Sequence, residues 1–131
     1  MTEHVNAVEA LRNSADTRRM ICVSTAHVTE SDMRLIEEYS KLFSAFDHTY
    51  GVIIPVHQSM INEDASKSAK ENIKDWFISV NTGISQIDAV IYDLLSDSFY
   101  TLLETAILAD YNYLNIDEGG DEYDDLELHE W

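Results

Sequence analysis

The chain has 131 residues, 45% of them apolar and 10% aromatic, with a formal net charge of −17. That length and composition fit one globular domain with a real core and argue against a disordered chain. A pI near 4.3 argues against direct binding to nucleic acid or to an anionic membrane, since both demand lysine and arginine. No apolar run is long enough to span a bilayer, and the N-terminus lacks the basic and apolar regions of a secretory signal. Cys22 is the single cysteine, so no internal disulfide forms, as expected of a cytoplasmic protein in a reducing compartment.

The charge is divided unevenly. All 8 lysines and arginines lie before Asp75, where 11 acidic residues leave about −3; Asp75–Trp131 carries 14 acidic side chains and no basic one. The chain therefore reads as a scaffold that presents a negative surface.

In chain order, Val5, Val8 and Leu11 recur at helical spacing, which predicts an amphipathic helix over about residues 3–14. Arg12, Arg18 and Arg19 follow as a basic cluster at its C-terminal end, where cations suit the helix dipole. Met20–Thr25 is a strand, with Ile21 and Val23 on one face and Cys22 and Ser24 on the other. Thr29 and Asp32 have the spacing of a capping box. The apolar stripe that follows, from Met33 and Ile36 to Phe43 and Phe46, extends that helix to about residue 46.

Tyr50–Val56 reads as a second strand, with Pro55 at an edge or a strand end because it lacks an N–H. Asn62, supported by Glu63 and Asp64, caps a helix with Ala65, Ala69, Ile73, Trp76 and Phe77 on its inner face and Asn81-Thr82-Gly83 at its end. Ser85 and Asp88 cap another, with Ile87, Val90, Ile91, Leu94 and Leu95 inward. Ser96-Asp97-Ser98 is a potential break before Phe99–Leu108 continues the pattern, so one long helix or two fit equally. Asp93, Asp97 and Glu104 fall off the apolar stripe, on the solvent side. Tyr111–Ile116 is a third strand. The tyrosines Tyr39, Tyr92, Tyr100, Tyr111 and Tyr113 are expected at the rim of the core with wet hydroxyls. These elements predict a single α+β domain over residues 1–131, a sheet of three or four strands packed against three to five helices, with 117–131 an acidic C-terminal segment.

Four short motifs carry a resemblance. Ser24-Thr25-Ala26-His27 stands at a strand end, Tyr50-Gly51 opens a strand, Tyr113-Leu114-Asn115-Ile116-Asp117 is an apolar stretch ending in aspartate, and Leu126, Glu130 and Trp131 close the chain. Together they resemble a family of small plasmid- and prophage-encoded bacterial proteins of unknown function. Glu127 and His129 depart from that pattern, which has proline and an aromatic there, and residues 58–100 are longer than it. The resemblance implies a small α+β domain of mobile-element origin. By composition alone, the chain is also similar to phage anti-restriction and anti-CRISPR proteins that imitate DNA.

The acidic segment holds Asp117, Glu118, Asp121, Glu122, Asp124, Asp125, Glu127 and Glu130. An extended chain advances about 3.3 Å per residue, so its carboxylates approach the charge spacing of a phosphate strand, where duplex DNA shows one charge per roughly 1.7 Å of axis. With Asp93, Asp97 and Glu104, these residues form the expected partner-binding set. The plainer reading is a solubilising acidic tail, against which stand the apolar Leu126, Leu128 and Trp131. An EF-hand loop fails, because the glycines fall at the third and fourth places and Leu128 at the twelfth. No metal site, cofactor or catalytic set is expected, and the chain reads as a non-enzyme. His27 and His57 lack a third zinc ligand. Cys22, Ser24 and His27 lack an orienting group and an oxyanion hole; a small hydrolase using Cys22 and His27 is the reading from another class.

The expected partner is a basic nucleic-acid-binding protein or ribonucleoprotein complex of the host, such as a CRISPR effector or restriction enzyme. An immunity protein or antitoxin that plugs a basic nuclease toxin obeys the same physics. Homodimerisation fits a small domain as well.

Overall fold

The computed structural model describes residues 7–10, 12, 18–61, 66–81 and 86–129. Four strands form one mixed sheet: β1 (Met20–Ser24), β2 (Phe46–His48), β3 (Gly51–Pro55) and β4 (Tyr113–Asp117). Their spatial order is β1-β4-β3-β2. The first and last strands lie side by side in parallel, Met20 opposite Tyr113 and Ser24 opposite Asp117, while β3 runs antiparallel to both its neighbours. From β1 onward the described residues form four α-helices: α1 (Glu30–Glu38), α2 (Ala69–Val80), α3 (Gln86–Leu94) and α4 (Asp97–Leu108). The α+β architecture expected from the sequence is the one observed.

Period-two alternation decides which sheet face is buried. Val23, Val52, Ile54, Leu114 and Ile116 are 0–3% exposed and meet the helices. The opposite face carries Met20, Cys22, Phe46 and Asn115; Phe46 is 62% exposed. Behind the sheet the core is aromatic, with the Phe43 ring edge-on to Phe77, Tyr92 and Phe99 at centroid distances of 5.3–5.9 Å. Such edge-to-face pairs each add about 0.5–1.5 kcal/mol beyond area burial.

Each helix start has a local cause. Thr29 Oγ1 accepts from the Asp32 N–H while the Asp32 carboxylate accepts from the Thr29 N–H, closing the expected capping box. Ser68 and Ser96 cap α2 and α4. The predicted Asn62 cap, with Glu63, Asp64 and Ala65, lies outside the described residues, as do Thr82, Gly83, Ser85 and the Asp88 side chain. Asn81 does close α2. The open question about the later helices resolves as two, separated at Leu95-Ser96. Only 7–10 and 12 of the N-terminal helix are described, and all five are helical and exposed.

Three expectations are corrected. Val90 and Leu94, expected inward, are exposed on α3. The helix that starts at Glu30 ends at Glu38, not near residue 46. A 3₁₀ turn (Ser40–Phe43) follows, Ser44 adopts a left-handed conformation at φ 52°, and Phe46 enters β2. The stripe deceived because Phe43 remains buried on the 3₁₀ turn while Phe46 points out. Tyr92 and Tyr100 are core residues at 0% and 1% exposure, not rim residues. Their hydroxyls donate to the Leu42 and Tyr92 carbonyls instead of to water.

Candidate functional site

Beyond Asp117 the chain turns back toward β1 and lies across its C-terminal end as a strap. Asp117 Oδ1 accepts the Gly119 N–H at 2.7 Å, tightening the turn. Gly120 then passes so close to Val23 that a Cβ on it would stand 2.3 Å from the Val23 carbonyl group. Only glycine permits that approach. Asp121 forms an isolated parallel bridge with Val23, and its carbonyl accepts the Ser24 N–H at 2.9 Å.

The Ser24–His27 turn holds the rest of the strap. The Tyr123 N–H donates to His27 Nε2 at 2.9 Å, and His27 Nδ1 donates to the Glu127 carbonyl at 3.0 Å. A backbone N–H can only donate and a carbonyl can only accept, so these contacts fix the proton on Nδ1 and leave Nε2 bare. The ring is 1% exposed. The His129 N–H donates to the Ala26 carbonyl at 2.7 Å. The motif that resembles a family signature thus acts as the strap's anchor.

A chain of hydroxyls ties the strap to α1. Ser96 Oγ donates to the buried Asp32 carboxylate, which also accepts the Ser96 N–H at 2.8 Å. Having spent its proton there, Ser96 Oγ receives the one from Ser98 Oγ (2.8 Å), which in turn accepts from His129 Nε2 (2.9 Å). The direction runs from His129 to Asp32. It therefore gives Ser98 no base at His129, although the two are in hydrogen-bond contact.

The candidate carboxylates sort into two groups. Glu118, Asp121, Glu122, Asp124, Asp125 and Glu127 are exposed on the strap, and no described lysine or arginine pairs with any of them. Asp93 and Asp97 bring counter-charge with them, from Lys74 and from Lys70 respectively. Glu104 is half-buried. Asp117 is half-buried with His48 Nε2 at 3.9 Å. Glu130 lies outside the described residues, as does Trp131. The strap thus concentrates six exposed carboxylates without a lysine or arginine partner among the described residues.

Cys22 does not meet His27. Its Sγ accepts from Asn115 Nδ2 at 3.4 Å, and Asn115 Oδ1 accepts from His48 Nε2 at 2.8 Å, on the less covered sheet face. Both nitrogens of His27 are already committed to the strap. No role in the site was expected of His48, Asn115, Ser98 or His129; the one signal was an amide at 115 between two apolar strand residues. Among the described residues, no three His, Cys, Asp or Glu side chains cluster to hold a metal, and no helix is long and apolar enough to cross a membrane.

No curated protein and no solved structure matches the chain. A family model, described as the C-terminal domain of a family of unknown function (DUF5983), matches residues 20–131, from the first residue of β1 through the strap. The chain belongs to that family.

Proposed function

We propose that this domain is an inhibitor, carried by a mobile element, whose acidic strap imitates a nucleic-acid backbone and occupies a basic groove on a host nucleic-acid-processing complex. The observation that carries this reading is the combination of order and exposure at the strap. Its backbone is pinned by the Ser24–His27 turn while its six exposed carboxylates face outward without a lysine or arginine partner among the described residues. A solubilising tail needs no such anchoring. Fixing like charges on a rigid segment prepays the ordering cost of binding and raises their mutual repulsion, which a groove lined with lysine and arginine relieves. The reaction is occlusion, not chemistry: the target's phosphate-gripping side chains engage carboxylates and no nucleic acid enters.

The test is capture of the partner from host lysate at low ionic strength, followed by competition with duplex DNA and a salt series. Binding should be competitive with DNA and fall steeply with salt, since exposed charges are screened within about 8–10 Å at physiological salt. A captured partner that binds DNA undiminished, or an affinity indifferent to salt, refutes the mimicry. Recovery of a nuclease toxin in place of a defence complex would reassign the target to the immunity class.

A further inference from the structure

Among the described residues, the outer edge of β1 is unpaired beyond the point where the strap covers it. The Ser24 N–H leaves the sheet to reach Asp121, whereas the Arg19 carbonyl accepts from Asn112 and Tyr113 on the β4 side. Alternation along an extended chain therefore turns the N–H and C=O of Met20 and the N–H of Cys22 outward to an unpaired edge, while the parallel bridge at Val23 sets the Asp121 N–H opposite the Cys22 C=O. Among the described residues no strand pairs with them; only Asp121, at Val23, touches that edge. Exposed edges of this kind are templates for an added strand.

Beside the edge runs a cavity of about 510 Å³, lined by Ile21 and Val23 of β1, Thr105 and Ala106 of α4, and Asp125 and Leu126 of the strap. Its walls are mostly apolar. A strand laid against Met20 and Cys22 would direct every second side chain into it. Asp125 of the strap lines the cavity, and Asp121, Glu122 and Asp124 of the same strap are exposed. A second copy of this chain is disfavoured as the occupant, because each copy brings a net charge of −17 and its own strap to the same edge.

We infer that this edge and cavity form a docking groove for an extended segment of a basic protein, which adds as a fifth strand beside β1, places apolar side chains at alternate positions against Ile21, Val23 and Ala106, and sets lysines or arginines against the strap. The inference rests on the strap reading above and supplies the contacts that charge alone lacks. Main-chain hydrogen bonds to Met20 and Cys22 give affinity, alternate side chains give register, and the strap selects for positive charge.

The probe is a synthetic nonapeptide in which a valine–threonine–valine–threonine–valine stretch sits between lysine pairs, compared with a nonapeptide of lysine only. Two further copies are N-methylated at alternate residues, one in each alternation. The mixed peptide should bind more tightly than the lysine peptide, and one N-methylated copy should lose binding while the other keeps it, because only one set of N–H groups faces β1. Met20→Pro removes an outward N–H at the first residue of the strand, where proline is tolerated, and Thr105→Trp fills the cavity from an exposed position. Each should weaken the mixed peptide by about tenfold or more and leave the lysine peptide unchanged. If the mixed peptide binds no tighter than lysine alone, or if both N-methylated copies bind like the parent, the groove is not a strand-docking site. Lysine-peptide binding that persists in that case leaves the strap reading standing, and loss of both ends both.

Discussion

Tyr123 gives its backbone N–H to the Nε2 of His27 at 2.9 Å, across 96 residues of sequence. That bond, with the one from His27 Nδ1 to Glu127, makes a single buried imidazole the side-chain anchor of the acidic strap between the backbone bonds at Ser24 and Ala26. His27→Ala should leave the Tyr123 N–H without its acceptor and the Glu127 carbonyl without its donor, a loss of about 0.5–1.5 kcal/mol for each part-buried bond. Hydrogen exchange at Tyr123 should accelerate while the β3 and β4 amides stay protected. Unchanged protection at Tyr123 would mean that the strap is held by other contacts. Nitrogen NMR on the unaltered protein should find the His27 proton on Nδ1.

Neutralising the strap separates charge from structure. Asp121→Asn, Glu122→Gln, Asp124→Asn and Asp125→Asn together should abolish capture of the basic partner and leave the thermal midpoint unchanged or slightly raised. These side chains are exposed and repel one another, and surface charges of this kind contribute about 0–1 kcal/mol each. Unfolding of the quadruple variant would show the carboxylates to be structural.

Asp32 sits at the opposite end of the hydroxyl chain. It accepts from the Thr29 N–H, the Ser96 N–H and the Ser96 hydroxyl while 1% exposed. Asp32→Ala should cost about 2–4 kcal/mol in urea unfolding, from loss of the α1 cap and stranding of the Ser96 groups. Asp32→Asn should cost nearly as much, because Oδ2 receives two donors and an amide nitrogen in its place would face both. Near-wild-type stability in the asparagine variant would contradict this geometry.

Gly120→Ala tests the crossing of the strap over β1. The added methyl meets backbone atoms of Val23, and backbone cannot rotate aside as a side chain can. The strap should lift locally, seen as faster exchange at Ser24, whose N–H depends on Asp121. Retained protection at Ser24 would place Gly120 in a looser passage than described.

Burial, and after it the neighbouring Asp93, Tyr92 and Asp32, raise the Tyr100 phenol far above the ordinary tyrosine value. The folded chain keeps this proton at a pH where the unfolded chain releases it. Stability is therefore intact below the unfolded value of about 10 and falls as pH rises beyond it. Tyr100→Phe should flatten that alkaline decline by about 1.4 kcal/mol per pH unit, one proton's worth. At neutral pH it should cost about 1 kcal/mol for the lost bond to the Tyr92 carbonyl. Equal alkaline slopes in the two proteins would rule out Tyr100 as the titrating group.

What could be read in the sequence follows from how local each cause is. The Thr29–Asp32 box, the alternation in β1, β3 and β4, and the position of Pro55 at the end of β3 are set by residues within a few places of one another. β2 escaped because its three residues continue a helical stripe, and only the left-handed Ser44 breaks it. Tyr92 and Tyr100 escaped because their acceptors are carbonyls, which composition does not advertise. The exposure of the strap was legible as a run of charge. Its anchoring was not, since His27 looks the same in sequence whether it faces solvent, a metal or a backbone N–H some hundred residues away.

The partnership between the Ser24–His27 turn and the strap also has a consequence for synthesis. The turn is synthesised some hundred residues before the segment that satisfies it, which at about 5–20 residues per second follows only after β2, β3, α1, α2, α3 and α4 have been made. A nascent or truncated molecule that stops short of Asp121 therefore carries an imidazole and a strand end still open to other chains. The exposed carboxylates of the strap thus come into being together with the closure of that gap.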